Sequence, residues 1–284
     1  MASVIACCAF ASRADYPGER VAAMDLVKAG NDEAALAAFL KMADGARGEA
    51  QKGDALEQAA LCANRLKQYE QAMALAGRIP QAPLAQAVRM KLMLENGRGA
   101  ELIAAFKDED ISHWPEKAAG RAFYYRGRAY SDRKNGQAAE TDLRMALENL
   151  GEGDERDAAR LTLARNYRDV LHDDRQALAV YMECINKGQY RYGWISLEAI
   201  TAAAAIFRKQ GRYDDALKVL EKVDVQGMTG NWKSTLLQAY AETFAAQGKK
   251  TDAIAMMKEA RAVPGIQEWR IAACEKALKE MQAP

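Results

Sequence analysis

The sequence predicts an all-α protein, a right-handed α-solenoid of about six to seven helical hairpins with a C-terminal capping helix. Three observations predict it. A short pattern returns: Gly211-Arg-Tyr-Asp-Asp-Ala216-Leu-Lys-Val-Leu220 reappears as Gly248-Lys-Lys-Thr-Asp-Ala253-Ile-Ala-Met-Met257, and more loosely as Gly30-Asn-Asp-Glu-Ala-Ala35-Leu-Ala-Ala-Phe39. A small residue followed four positions later by a bulky apolar one recurs at Ala35, Ala72, Ala139, Ala177, Ala216 and Ala253, mostly at a period of about 38 residues, the signature of stacked units. Between Ala72 and Ala139 one unit is degenerate and shorter. Composition agrees. Half of the 284 residues are hydrophobic, alanine is prominent, and none of the six prolines interrupts a strongly periodic stretch. Alternating runs rich in Val, Ile and Thr, which would mark strands, are absent.

The chain opens on Ala2 to Ala11, an apolar run without a charge that ends in Ala9-Phe10-Ala11. Residues 1–11 read as an export signal cleaved before Ser12, although no basic region leads it. The rival readings are a disordered N-terminal segment, a segment packed on the first repeat and a lipoprotein signal at Val4-Ile5-Ala6-Cys7. Export would place the protein in a bacterial envelope, periplasmic or extracellular; without it the chain is cytoplasmic. Cys7 and Cys8 would leave with the signal, and Cys62, Cys184 and Cys274 lie on separate helices without a disulfide framework. Cys184 reads as a small buried hydrophobe.

Residues 12–265 read as the repeat array. In its clearest unit, Ile200, Ala203, Ala204 and Phe207 share one helical face over 197–209. Gln210-Gly211 ends that helix, glycine being suited to a left-handed C-terminal turn. Asp214 and Asp215 start the next helix, where carboxylates favour its exposed N–H groups. Ala216, Leu217, Leu220 and Val223 form the buried face. Residues 234–263 repeat the arrangement with Leu237, Tyr240, Ala241, Phe244, Gly248, Ala253, Met257 and Ala260.

These positions resemble the tetratricopeptide repeat, W-x2-L-G-x2-Y…A-x3-F…A. Further matches are Phe123, Gly127, Tyr130, Ala139, Leu143 and Ala146; then Leu56, Ala60, Tyr69, Ala72 and Ala76; then Leu163, Ala164, Tyr167, Ala177 and Tyr181, with one extra turn residue. The unit between Leu84 and Phe106 fits weakly. The resemblance covers about residues 20–265. It departs from the family in spacing, since several units exceed the family's length of about 34 residues. Extra residues collect in loops such as 107–114, 187–194 and 225–232. The resemblance implies stacked hairpins whose first helices line a concave face where extended peptides commonly lie. The asparagine-and-base clamp of chaperone-tail binders does not map onto this sequence.

Trp194, Trp232 and Trp269 each open the first helix of a unit. They read as plugs between successive units, with a binding ladder as the alternative. Residues 266–284 form the cap, with Ile271, Cys274, Leu278 and Met281 on one stripe and Arg270, Lys276, Lys279 and Glu280 largely elsewhere.

No catalytic constellation appears, so the reading is non-enzymatic, with no metal and no cofactor. Only His113 and His172 occur. Gly248-Lys-Lys-Thr lacks the upstream glycine of a phosphate loop. Asp108-Glu109-Asp110 reads as a solvated loop. Forty basic and 39 acidic residues give a net charge of +1, which argues against bulk nucleic-acid binding. No apolar run is long enough to span a bilayer.

The candidate binding surface is the concave face. Arg121, Tyr124, Tyr125 and Arg128 project there from one unit, Arg165, Arg168 and Asp169 from the next, and Arg208 and Lys209 from a third. This mostly basic stripe would bind a partner protein or an extended acidic peptide; the competing reading is an ordinary solvated helix face. Tyr190, Arg191 and Tyr192 are a secondary surface, suited to a protein interface or to stacking on sugar rings. The expected function is a protein–protein interaction scaffold. Its rivals are a carbohydrate- or peptidoglycan-associated envelope protein using the aromatic loops, a helical-toroid enzyme, and end-to-end self-association.

Overall fold

The computed structural model describes residues 15–186, 193–223 and 228–282, and for 193–195 the backbone only. Fifteen α-helices occupy the described residues, with no strand among them. In chain order they are α1 (Tyr16–Lys28), α2 (Asp32–Asp44), α3 (Glu49–Arg65), α4 (Tyr69–Gly77), α5 (Ala82–Glu95), α6 (Gly99–Phe106) and α7 (Glu116–Asp132). There follow α8 (Gly136–Asn149), α9 (Asp154–Asp169), α10 (Asp174–Asn186), α11 (Gly193–Lys209), α12 (Tyr213–Leu220), α13 (Gly230–Ala246), α14 (Lys250–Ala262) and α15 (Glu268–Gln282). A 3-10 turn, Ile111–His113, precedes α7.

The helices alternate as first and second members of hairpins, and each hairpin turns on a single residue in the left-handed region. Four of these residues are glycines, Gly30, Gly97, Gly211 and Gly248, with φ between 71° and 76°. The other three are Lys67, Lys134 and His172, with φ of 64°, 63° and 55°. The backbone explains why the position recurs. In the turn after α11, Gly211 N–H donates to the Arg208 carbonyl and Arg212 N–H to that of Phe207, which satisfies two carbonyls the helix end leaves open. The same pair closes the turns at Gly30, Lys67, Gly97, Lys134 and Gly248. The turn at His172 holds one more residue, so Asp173 N–H reaches back to Tyr167. Second helices then start from side-chain caps where the sequence supplies one. Asn31 accepts from Ala34 N–H, Asn135 from Ala138 N–H and Asp173 from Gln176 N–H.

The six alanines that set the sequence period are all fully buried, as are Phe39, Leu143, Tyr181, Leu220 and Met257, four residues after five of them. A methyl at the closest approach and a bulky group one turn on let helices pack tightly without leaving a void. The degenerate unit proves to be a complete short hairpin, α5 with α6, whose second helix has only eight residues.

Two units divide the chain, the first ending at Ala129 and the second starting at Tyr130, so that α7 runs across the boundary. In the first unit consecutive helices from α1 to α6 pack on one another, and α3 also packs on α5. In the second, consecutive helices from α8 to α15 pack in turn, and the first helices stack as α9 on α11, α11 on α13 and α13 on α15. First helix on first helix, with second helices filling the outer layer, is solenoid packing. Gly136 shows how close it is: a Cβ there would lie 2.5 Å from Leu171 Cδ2 and 3.0 Å from Val170 Cγ1.

Two sequence expectations change. Trp232 and Trp269 are 46% and 60% exposed, so they do not plug the joints between units, and the side chain of Trp194 lies outside the described residues. Arg270 is not on the outer face of α15. It is 7% exposed, one turn before the fully buried Cys274 and on the same stripe.

Candidate functional site

Most of the inner-face arginines are paired with carboxylates on other first helices. In the first unit Arg20 of α1 donates to Asp54 of α3 through Nε at 2.7 Å, and Tyr16 OH donates to the same carboxylate at 2.8 Å. Burial would raise the pKa of Asp54, but the hydrogen bonds from Arg20 and Tyr16 outweigh it and hold the carboxyl below its ordinary value. Arg121 of α7 reaches back to Glu57 of α3, Nη1 to Oε1 at 2.8 Å, with side chains only 14% and 11% exposed. In the second unit Arg165 of α9 grips Glu198 of α11 with two N–H groups. Arg208 of α11 donates to Glu242 of α13 at 2.5 Å. Arg20–Asp54, Arg165–Glu198 and Arg208–Glu242 each join residues 33 or 34 positions apart, about one repeat, and Arg121–Glu57 spans 64, so a stripe of like charge in the sequence becomes a set, or ladder, of ion pairs in space.

The remaining predicted residues fall as follows. Arg168 pairs with its neighbour Asp169 at 2.7 Å and lies over the Tyr181 ring, 5.7 Å from its centroid. Lys209 pairs with Asp174 at the start of α10. Tyr124 and Tyr125 are buried, ring centroids 5.2 Å apart. Arg128 is exposed. The stripe is therefore divided: Arg121, Tyr124, Tyr125 and Arg128 belong to the first unit, and Arg165, Arg168, Arg208 and Lys209 to the second. The secondary surface Tyr190, Arg191 and Tyr192 and the export segment 1–11 lie outside the described residues.

One shallow groove gathers these features in the second unit. It is lined by Arg168 from α9, by Glu198, Thr201, Ala202, Ala205 and Arg208 from α11, by Thr235, Gln238, Ala239 and Glu242 from α13, and by Arg270 from α15. Its floor is small because Ala202, Ala205 and Ala239 recur on the inner faces, and its walls are the arginines and glutamates of the ladder. Burial lowers the pKa of Arg208, and the Glu242 carboxylate only partly offsets this. Arg270 Nε donates to Ser234 Oγ at 3.0 Å. Two guanidinium nitrogens, Nη1 of Arg208 and Nη2 of Arg270, are buried and make no hydrogen bond with the protein. Sequence reasoning missed the partners Glu57, Glu198 and Glu242, and it missed Arg270. The spacing of Arg270 from Cys274 is the one signal that could have placed it inward.

Among the described residues no group of three His, Cys, Asp or Glu is placed to hold a metal ion, and no helix is long and apolar enough to cross a membrane. Cys62, Cys184 and Cys274 are buried and form no disulfide.

No protein-family model matches the sequence, and no curated protein does. Solved structures do match. A tetratricopeptide repeat protein from Parabacteroides merdae is similar at a TM-score of 0.52 and 16% identity, over 94% of this chain and 99% of that one. Cut9 from the APC/C hetero-tetramer Cut9–Hcn1 is similar at 0.55 and 15%, over 95% of this chain and 46% of that one. The human IFIT1 dimer with PPP-AAAA is similar at 0.56 and 16%, over 88% of this chain and 59% of that one. The fold is a tetratricopeptide-repeat-like α-solenoid.

Proposed function

We propose that the protein is a non-enzymatic interaction scaffold, and that a segment of a partner protein lies along the inner face of the second unit. The observation that carries the reading is the groove over α9, α11, α13 and α15. A floor of alanines leaves room for an extended chain, and Thr201, Thr235 and Gln238 offer it polar contacts. The same fold serves Cut9 in its assembly with Hcn1 and IFIT1 in its complex with PPP-AAAA. A protein partner fits this chain better than a nucleic acid. Net charge is +1, and the ladder spends most inner-face arginines on internal carboxylates, leaving little free positive field for a phosphate backbone.

Export to a bacterial envelope, through residues 1–11, belongs to the same proposal and is read by cell fractionation. A glycan-binding alternative rests on the exposed Trp232 and Trp269, which offer ring faces for stacking on sugars. Affinity capture from the native host separates the two readings. Ala205→Trp fills the groove and abolishes capture of a protein partner, while a Trp232→Ala, Trp269→Ala variant leaves it intact. The reverse result favours the glycan reading.

A further inference from the structure

The ladder on the inner face of the second unit does not end as it begins. Arg165 and Arg208 each meet a glutamate on the next first helix. Arg270, at the start of α15, faces α13 from the other side and finds only the hydroxyl of Ser234. Arg270 is 7% exposed as a residue, and its guanidinium has a neutral partner at Nε and none at the buried Nη2, an unusual element in a folded protein, because buried charged donors are normally matched by acceptors. Arg208 repeats the feature, since its Nη2 serves Glu242 while Nη1 has no acceptor. Both side chains line the same groove.

We propose that Arg270 and Arg208 form a receptor for one carboxylate, carried by an acidic side chain of the extended partner segment. The inference rests on the scaffold reading given above and adds its chemistry. Arg168, Arg208 and Arg270 stand against Glu198 and Glu242 in the groove wall, which leaves a single positive charge. That matches a carboxylate and not a phosphate dianion. A planar carboxylate has two oxygens to offer two guanidinium groups that come from different helices. Arg208 keeps its pair with Glu242 through Nη2, so the acceptor takes the Nη1 that has no partner.

The test is fluorescence anisotropy with two labelled, end-capped hexapeptides, one alternating Glu and Gly and the other alternating Gln and Gly. The expected result is that the Glu peptide binds at least about tenfold more tightly than the Gln peptide, and that Arg208→Gln and Arg270→Gln each remove about tenfold of that affinity. Circular dichroism checks both variants; Arg208→Gln carries the test should the more buried Arg270→Gln fail to fold. Lys222→Gln, which lies outside the groove and pairs with Asn186, leaves binding unchanged. Equal binding of the two peptides, no binding of either, or tighter binding of a third peptide that alternates phosphoserine and Gly overturns the carboxylate receptor. If the two peptides bind equally and Ala205→Trp blocks both, the receptor fails and the inner-face reading stands. If Ala205→Trp blocks neither, both fail.

Discussion

Breaking the Glu57–Arg121 pair is the sharpest test of whether the arginines serve the fold before they serve a partner. The two charges sit 2.8 Å apart and are almost out of solvent. At that distance and an effective dielectric constant near 20, their gross attraction is about 6 kcal/mol. Desolvation of both groups takes back much of it, so the pair adds little over an apolar replacement. Removing one partner is different. Arg121→Met removes the hydrogen-bonded partner of the buried Glu57 carboxylate, and the expected loss is about 3–5 kcal/mol. Glu57→Gln in the same chain removes the stranded charge, so the double variant recovers about 2 kcal/mol or more of that loss. Urea unfolding followed by circular dichroism at neutral pH on all four proteins measures the coupling. A cost below about 1 kcal/mol for Arg121→Met, or strict additivity of the two changes, would refute the ladder as a structural device.

Three further outcomes follow from the same geometry. Lys134→Gly stabilises by up to about 1 kcal/mol in chemical denaturation, because an L-residue at φ 63° is relieved, while Gly211→Ala at φ 71° destabilises by a similar amount. Asp54 has a folded pKa below its unfolded value, so its contribution is present above the unfolded pKa and fades as pH falls through the folded one. Asp54→Asn therefore lowers the melting temperature at pH 7, and the gap to wild type closes as the pH is lowered below about 4, the unfolded aspartate range. Tyr181→Phe is neutral or slightly stabilising in thermal melts, since the buried hydroxyl it removes has no hydrogen-bond partner.

The helical hairpins were legible in the sequence because their cause is local. Alanine followed four residues later by a large apolar group marks a packed helix wherever it occurs, and glycine marks most of the turns. Lys67, Lys134 and His172 gave no such signal. Their turns are fixed by the same backbone hydrogen bonds as those at glycine, and the side chains tolerate the conformation without announcing it. The site was less legible, for a reason of distance. Arg165 and Glu198, or Arg208 and Glu242, are partners only after two hairpins have stacked. The arginines could be placed on an inner face from helical phase, but their neutralisation depends on the register between helices. Arg270 was misread because a charged residue is assigned to solvent by default. Trp232 and Trp269 were misread in the opposite sense, since large apolar groups are assigned inward.

The most direct measurement is site-specific photo-crosslinking in the native host. A photoreactive residue at position 205, on the groove floor, is compared with one at Lys258, exposed on the second helix α14. The scaffold reading predicts a discrete adduct with a partner protein from position 205 and none from 258. Adducts from 258 alone, with none from 205, would contradict binding at the inner face.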